Sequence, residues 1–590
     1  MEELFYWIIE YCKVMFGFGF LMFIWPMVVF RKYLAGKSAT FRFSFCVVEQ
    51  LVLINTVVLV LGLAKLLNEW TIYILFYGTF LFSLRKHFAL TKERRKKLRY
   101  LVNGSFGWRN FLFLERRKLV RSVEKFFKRL CEFYKKHWLE YTLLIVAIVY
   151  GMIYFTWGVF HEHSYPFSDM YVHHSWAYEL SQGVPFSNGI YPQGLHCFIY
   201  SLSTLFGIRM YSCVLFMASA NAAITLVAIY CLLKELFRWR FSAVFTLIAM
   251  LTFGEMGRYL LISMARFQCA LPQEMAFSSI FICCLYLMKY LKGGLRAIRK
   301  GKETKGFWDE NLLVFMLALA ATIVFHFYAT FMAFFMCVGV ALFLWKRIFT
   351  KERFLPLITA VLFSLFISVA PMATGYATGI ELEHSLLWAM SVMEESVESE
   401  EAGVQENISN AINTPDGTLT EEEGLNAGAE TGGTSEKTPE VSIFEKIGKK
   451  LLSVGTAALN KCKYICSIIY TETYPEMYGP DVVVMILLTM GIVLFGGSIG
   501  AFFLFCVEKM KKVSIERPAY GGYFIIIYAA LVYVLIYSSE FLGWPVLLER
   551  YRIGFICNLM NIAVVMISAD ILFCMGKRAL EEQGLKIFSV

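Results

Sequence analysis

Residues 210–233, MYSCVLFMASANAAITLVAIYCLL, form an uncharged and largely apolar run that decides the class of fold. At 1.5 Å per residue, a helix of this length is about 36 Å long, enough to cross about 30 Å of hydrocarbon. Similar runs recur along the chain, because 58% of its 590 residues are hydrophobic and only 17% are charged. Soluble chains of this length carry more charge. The sequence therefore predicts an all-α, polytopic transmembrane protein.

Apolar runs of this kind predict about thirteen membrane spans and one shorter helix that does not cross. The stretch 193–207 is too short to span a bilayer, so it is predicted to be a juxtamembrane or re-entrant helix. The predicted spans cover about residues 5–30, 44–65, 67–84, 139–160, 210–233, 240–257, 272–291, 311–326, 329–345, 354–373, 481–505, 519–537 and 553–575.

Basic residues predict the side of each loop, since short loops rich in Lys and Arg stay in the cytoplasm. Residues 85–137 hold eighteen Lys and Arg against four Glu. Every other basic loop falls on the same side if 193–207 does not cross. The sequence thus predicts a multi-pass cell-membrane protein with its N-terminus outside and its C-terminus cytoplasmic. Basic clusters beside membrane spans are typical of residues that set the orientation of the protein in the membrane and contact anionic lipids, rather than of nucleic-acid sites.

The spans and loops divide the chain into five segments. Between Met393 and Glu440 there are thirteen acidic residues and one Lys, which predicts disorder. Residues 443–470 are predicted to form an amphipathic helix on the membrane surface. The segments are 1–84 (three N-terminal spans), 85–138 (a basic cytoplasmic loop), 139–373 (a membrane module with the outer loop 161–209), 374–480 (a large outer loop) and 481–590 (three spans and a short tail).

The outer loop 161–209 concentrates residues that carry chemistry. A helix over 169–180 would place Asp169, His173 and Trp176 on one face. A carboxylate and an imidazole one turn apart suit proton transfer, metal binding or hydrogen bonding to a sugar, whereas helix capping by Ser168 or Asp169 is the structural alternative. Five of the nine histidines lie in this loop, at His161, His163, His173, His174 and His196.

The order of elements here resembles the start of GT-C glycosyltransferases, multi-spanning enzymes that use polyprenyl-phosphate-linked sugars. The resemblance covers about residues 139–575, and the loop 374–480 matches the large outer loop that these enzymes carry late in their helix order. It implies a catalytic Asp in the first outer loop, where Asp169 follows Phe160 by nine residues. The three N-terminal spans depart from the family pattern. The matching order is a span, the loop with Asp169, a His-rich helix, Tyr191-Pro-Gln-Gly194, a short apolar helix ending at Phe206-Gly207, and a long helix ending at Lys234-Glu-Leu-Phe237.

Sugar transfer from a polyprenyl phosphate needs a base for the acceptor hydroxyl and cations for the departing phosphate. We expect Asp169 to be the base. Arg550 and Arg552, at the outer start of the last span, are the expected phosphate ligands, because a guanidinium binds phosphate through a two-pronged fork. Snorkelling to lipid headgroups is the alternative role for these arginines.

Further polar and aromatic residues near the outer ends are expected to bind substrate. Arg258 and Arg266 are additional phosphate candidates, and Glu255 could orient the acceptor or ligate a divalent metal ion. No other cofactor is assigned, and His161-Glu162-His163 lacks a third metal ligand. The expected substrate-binding residues, besides Arg550 and Arg552, are His173, His174, Trp176, Tyr191, Glu274 and His326.

The expected function is therefore an inverting glycosyltransferase that moves a sugar from a polyprenyl-phosphate donor to an envelope glycan, lipid or protein at the outer leaflet. A lipid-linked glycan flippase or transporter would need charges deep in the spans, and only Glu10, Lys13, Glu49 and Asp570 qualify. A polysaccharide polymerase would centre its site on outer arginines without an essential Asp. A membrane O-acyltransferase would need a His deep in the bundle beside Asn or Asp, and no such pair is clear.

Overall fold

The computed structural model describes residues 2–87, 107–253, 265–299, 309–384, 518–537 and 548–582, together with positions 96, 99, 100, 102 and 103. These residues are about 85% helical and contain no strand beyond a single bridge between Ile190 and Leu382. The all-α prediction is confirmed for them. The acidic tract 393–440, the amphipathic helix 443–470 and the span 481–505 lie outside the described residues.

The N-terminal spans are interrupted by two π-helical turns. Ser38 caps α4, accepting from the Phe41 backbone N–H at 3.2 Å, and Asn68 and Thr71 form a reciprocal capping box before α5. The elements are α1 (Glu2–Gly19), a π-helical turn (Phe20–Ile24), α2 (Trp25–Val29), α3 (Arg31–Leu34), α4 (Ala39–Leu63), α5 (Glu69–Tyr73), a second π-helical turn (Ile74–Gly78) and α6 (Thr79–His87).

The predicted basic loop 85–138 is helical over much of its length. Helix α7 runs from Trp108 to Glu162, and only His137, with φ −133° and ψ 22°, leaves the helical region. The helix of the next predicted span thus continues back through the basic residues to Trp108, while the cytoplasmic location of this segment stays a prediction.

The remaining elements form the rest of the bundle. Helix α8 begins at Asp169, close to the predicted position, while α14 and α15 are separated by the extended residue His326. These elements are α8 (Asp169–Ser181), α9 (Gly194–Phe206), α10 (Met210–Leu236), α11 (Ser242–Phe253), a 3₁₀ turn (Ala265–Gln268), α12 (Pro272–Met275), α13 (Phe277–Arg299), α14 (Glu310–Phe325), α15 (Phe327–Phe343), α16 (Trp345–Ile348), α17 (Lys351–Ala377), α18 (Pro518–Tyr537) and α19 (Arg550–Glu582).

Seven helical segments in the described part are long and apolar enough to cross a membrane. Five more apolar helices are shorter, at Gly194–Phe206, Ser242–Thr252, Glu310–Phe325, Phe327–Phe343 and Gly522–Tyr537. The chain is a helical membrane protein, and the full count of about thirteen spans stays a prediction. The seven long segments are Leu4–Val29, Ala39–Leu63, His137–Glu162, Met210–Leu236, Pro272–Gly293, Lys351–Ala377 and Arg552–Ile571.

Polar contacts join the loops that the sequence places in the cytoplasm, and we call this end of the bundle the inner end. Buried Glu140 is paired with Lys234 and accepts from Arg240 at 2.8 Å, which ties α7 to α10. Asp570 accepts from the backbone N–H of Arg238 at 2.9 Å and from the hydroxyl of Ser242. These contacts hold α19 against the turn between α10 and α11.

A second set of contacts joins the loops predicted to be extracellular, at what we call the outer end. Trp7 stacks on His163 with ring centroids 4.7 Å apart, and the Tyr211 hydroxyl donates to the His163 carbonyl. The backbone of Glu383, after α17, donates to the Ile190 carbonyl at 3.2 Å. In the described part of the chain, these contacts join loops that the sequence places on the same side, while the topology itself stays a prediction.

Helix α9 begins beside the outer end of α14 and ends against the middle of the first predicted span. Gly194 packs against the end of α14, and Phe206 packs on Phe16 and Phe20 of the first span. The chain then turns through Gly207, whose φ of +61° favours glycine, into α10 near the outer end. The helix thus positions its first turn beside the other outer loops.

Candidate functional site

Two buried histidines form the centre of the candidate site. His173, on the inward face of α8, and His196, in the first turn of α9, approach through Nδ1 and Nε2 at 3.0 Å. One of these two nitrogens donates a proton to the other. The contact joins two helices whose histidines are 23 residues apart in sequence.

Aromatic rings surround this pair. Trp176, one turn after His173, lies with its ring centroid 5.6 Å from that of His173 and 5.3 Å from that of His196. Tyr191 packs on Trp176 at 5.4 Å and on His326 at 6.0 Å. His326 is held in place because its Nδ1 accepts from the Tyr328 backbone N–H at 3.1 Å. The junction of α14 and α15 therefore contributes a third imidazole to the site.

Two arginines reach the same region from distant segments. Arg266, in the 3₁₀ turn, is paired with Glu274 of α12, with Nε and Oε1 2.5 Å apart. Arg552, in α19, is paired with Glu549, and its guanidinium lies 5.0 Å from the centre of the Tyr328 ring. The outer start of the last span is thus adjacent to the α14–α15 junction.

The electrostatics of the imidazoles link these segments. Burial lowers the pKa of His173 well below its ordinary value, and nearby His196, Arg266 and Arg552 lower it further. Burial likewise depresses the pKa of His326, with Arg552, Arg266 and His173 acting in the same direction. Burial alone lowers the pKa of His196 to about 3. All three imidazoles are therefore uncharged at neutral pH, while the positive charge resides on the guanidinium groups.

Several buried polar atoms around the site lack hydrogen-bond partners in the described part of the chain. An unsatisfied buried donor or acceptor costs about 1–3 kcal/mol, so such atoms near the site are available for hydrogen bonds with a polar ligand or with water. The side chains of Gln193, His196, Gln273 and Glu274 are all less than 5% exposed. Their unpartnered atoms are Gln193 Oε1, His196 Nδ1, Gln273 Oε1 and Glu274 Oε2.

The structure brings together most of the predicted site residues. Asp169 opens α8 one turn before His173 and is half-buried. Its charge acts on the thiol of Cys269, which follows the turn that carries Arg266. The candidate base therefore lies beside the cluster. The predicted residues in or against the cluster are Asp169, His173, Trp176, Tyr191, Glu274, His326 and Arg552.

One predicted substrate-binding residue, His174, stands apart from this arrangement. His174 belongs to a separate aromatic group, because its Nδ1 lies 3.2 Å from the Tyr165 hydroxyl and its ring packs 6.3 Å from that of Tyr211. Consecutive helical residues point about 100° apart, so His173 and His174 cannot face the same site. Arg550 is the first residue of α19, and its side chain lies outside the described residues, as do Glu255 and Arg258.

The sequence did not single out His196, Gln193 or Gln273 as site residues, and it ranked Arg266 behind the α19 arginines. A polar side chain in the first turn of an otherwise apolar helix was the signal available for His196. Gln273 donates to the Arg552 carbonyl at 2.6 Å, a contact between residues 279 positions apart that no local pattern encodes.

No group of three His, Cys, Asp or Glu side chains among the described residues is arranged to hold a metal ion. His161 and Glu162 lie 3.9 Å apart on the surface, and His163 instead stacks on Trp7. No protein-family model matches the chain, and no curated protein sequence matches it.

Proposed function

We propose that the chain is a GT-C-like membrane glycosyltransferase that moves a sugar from a polyprenyl-phosphate donor to a cell-envelope acceptor at the outer leaflet. The observation that carries the proposal is the convergence of Arg266 and Arg552 on the buried imidazoles of His173 and His326. Guanidinium groups bind phosphate through charge-assisted, two-pronged hydrogen bonds. A buried polar site with two such groups suits a donor whose leaving group is a lipid phosphate.

In the proposed reaction, the acceptor oxygen forms a bond to the anomeric carbon of the sugar while the bond from that carbon to the donor phosphate breaks. Asp169 takes the acceptor proton, and Arg266 and Arg552 stabilise the charge left on the phosphate. Trp176 and Tyr191 supply aromatic surface for the sugar ring. The displacement inverts the configuration at that carbon and needs no acid for the leaving group.

The uncharged imidazoles have a separate role in this scheme. A neutral imidazole offers one donor and one acceptor, so His173, His196 and His326 are suited to hydrogen bonds with sugar hydroxyl groups. Glu274 is paired with Arg266 and orients that guanidinium.

The charges deep in the predicted spans give a flippase or transporter little support. Glu10 pairs with Lys13 at 2.7 Å, and Asp570 receives hydrogen bonds from the turn between α10 and α11. Glu49 accepts from the neighbouring Gln50 at 3.0 Å. Each acidic side chain therefore has a local hydrogen-bond donor, whereas a transport path would use such groups for its cargo.

Substitution of Asp169 tests the proposed mechanism. Asp169→Asn keeps the size of the side chain and removes the basic oxygen, so transfer from a polyprenyl-phosphate sugar by the purified protein should fall about 10²–10⁴-fold. Binding of the donor should stay nearly unchanged. A matched control is Asp309→Asn, because Asp309 caps α14 at the inner end and Asn caps helices equally well.

The arginines are tested in the same assay. Arg552→Lys should still impair transfer, because the charge remains while the planar fork is lost. Near wild-type transfer by Asp169→Asn with a loss in Arg552→Lys would favour a polymerase-like site centred on arginines. If the double variant Arg550→Ala, Arg552→Ala still binds the donor, the two arginines instead contact lipid headgroups, which is the alternative role given above.

A further inference from the structure

Helix α7 consists of two parts with different surroundings. The part after His137 is a candidate span, His137–Glu162, that packs along α10 and α11. The part before it, residues 108–136, is about 43 Å long at 1.5 Å per residue. The non-helical dihedral angles of His137 separate the two parts at the inner end, next to Glu140. The first part can therefore follow a different direction from the span.

Apolar side chains along one stripe of residues 108–136 are exposed. Leu112, Val120 and Val123 are 61%, 45% and 43% exposed. At 100° per residue they fall within about 80° of arc on the helix surface. A soluble helix would bury such a stripe, so these side chains require an apolar environment.

Four exposed basic side chains occupy the opposite arc of the same helix, whereas Arg109 and Arg116 lie within the arc of the apolar stripe. Arg117, Arg121, Lys125 and Lys128 are exposed and also fall within about 80° of arc, centred roughly 140° from the apolar stripe. Residues 108–136 contain ten Lys and Arg against three Glu. This combination of an apolar stripe and a strongly basic face is typical of helices that lie in a membrane interface.

We propose that residues 108–136 bind anionic phospholipids as an amphipathic anchor on the cytoplasmic surface of the membrane. Leu112, Val120 and Val123 enter the boundary between headgroups and acyl chains. Arg117 and Lys128, with the other basic residues, contact phosphate groups of the headgroups. His137 is the joint at which the chain leaves the surface and enters the span.

The position of the helix favours a lipid surface over nucleic acid or a protein partner. The chain of α7 continues directly into a candidate span, so its first part starts within reach of the bilayer. Trp138, immediately after the joint, is 56% exposed, and tryptophan is enriched at membrane–water interfaces. A nucleic-acid site would use the basic face and leave the apolar stripe in water. The inference does not depend on the proposed enzymatic activity.

The test compares amide hydrogen exchange of the full-length protein in two kinds of nanodisc, one of phosphatidylcholine alone and one with phosphatidylglycerol in equal amount. Exchange in residues 108–136 should be at least about tenfold slower in the anionic nanodisc, and added salt should reduce the difference. Peptides from 138–162 serve as an internal reference and should exchange equally in both.

Two sets of variants separate the contributions of charge and apolar surface. Replacing Arg117, Arg121, Lys125 and Lys128 by Gln should abolish the difference between the lipids. A conservative set, Arg117→Lys, Arg121→Lys, Lys125→Arg and Lys128→Arg, keeps the charge and should preserve it. Leu112→Gln with Val123→Gln should accelerate exchange of 108–136 even in the anionic nanodisc.

Equal exchange of the wild-type segment in both nanodiscs would overturn the proposal, and this comparison needs no variant. Slow exchange that persists in both lipids and in the Gln set would assign the helix to contacts with protein. Protection that appears only when RNA is added to the neutral nanodisc would assign the basic face to nucleic acid.

Discussion

At the residue scale, the histidine pair provides hydrogen-bonding groups that carry no charge. His173 and His196 share one hydrogen bond inside the protein. Burial lowers the pKa of both rings, and nearby guanidinium groups lower that of His173 further, so both rings are neutral. A protonated imidazole there would lie close to Arg266 and Arg552 without a matching carboxylate of its own. The rings therefore offer hydrogen bonds without charge, while the positive charge in this region resides on the two guanidinium groups, each of which is paired with a carboxylate.

These imidazoles predict how stability depends on pH. The pKa of His196 is about 3 in the folded protein against 6.5 ordinarily, and those of His173 and His326 are also lowered. Below about pH 6.5 these histidines take up protons in the unfolded chain but not in the folded protein. The free energy of unfolding is therefore highest above that pH and decreases as the pH falls. Each histidine should remove up to about 1.4 kcal/mol per pH unit, measured as the unfolding midpoint in detergent between about pH 7 and pH 5.

A pair of variants checks the origin of this slope. His196→Gln removes one buried imidazole and should make the loss of stability between about pH 6.5 and pH 5 shallower. His161→Gln is the matched control, because the His161 side chain is 79% exposed and outside the cluster. A wild-type midpoint that does not change over this range would contradict the assignment of neutral, buried imidazoles.

At the scale of elements, close approach between helices positions the site. Gly194 begins α9 against the end of α14, where an added Cβ would lie 2.7 Å from the Val324 carbonyl oxygen and 2.5 Å from the Phe325 ring. Only glycine permits this contact without displacement of one helix. Since His196 follows two residues later, the same approach sets the distance between His196 and His173.

A methyl group at Gly194 should therefore separate α9 from α14. Gly194→Ala should lower the free energy of unfolding by about 1–3 kcal/mol through overpacking against backbone, and should lower transfer activity by displacing His196. Gly19→Ala is the control, because Gly19 is helical and an added Cβ meets nothing within 4 Å. Equal stability of the two variants in a thermal unfolding series would show that α9 is not held by this contact.

At the scale of the whole molecule, side-chain contacts join the N-terminal helices to later segments of the chain. The N-terminal helices belong to the same bundle as the predicted catalytic module. Tyr11 of α1 hydrogen-bonds Ser219 of α10 at 2.9 Å, and Lys37, between α3 and α4, pairs with Glu310 at the start of α14. Removing the first three predicted spans would therefore expose surface of the module, so they act as part of its structure.

The predicted topology leads to a direct experiment. Lys97 is predicted to lie in the cytoplasm and Gly403 outside the cell, because basic loops stay inside and 193–207 does not cross the membrane. Both positions are outside the described residues. Reporter fusions or labelling of single cysteines in intact cells should place them on opposite sides. Finding both on one side would contradict the thirteen-span topology, and an inverted result would move the candidate site to the cytoplasmic leaflet.

The sequence alone determined the class of the protein and the positions of most of its helices. Apolar runs such as 210–233 have no stable alternative to a helix in hydrocarbon, because every backbone N–H and C=O must be paired within the segment. The start of α8 at Asp169 and the break at His326 also followed from local residue patterns. Local rules succeed here because the helix periodicity and the cost of unpaired backbone act over only a few residues.

Only the tertiary structure decided which polar residues meet. His173 hydrogen-bonds His196 of α9, whereas its sequence neighbour His174 belongs to a separate aromatic group. Gln273 of α12 contacts the backbone of Arg552, which lies 279 positions later in the chain. Such contacts depend on how the helices pack against one another, and many packings satisfy the same apolar pattern. The continuation of α7 through the basic segment was missed for a related reason, since charge predicts the side of a membrane but not the conformation of the chain there.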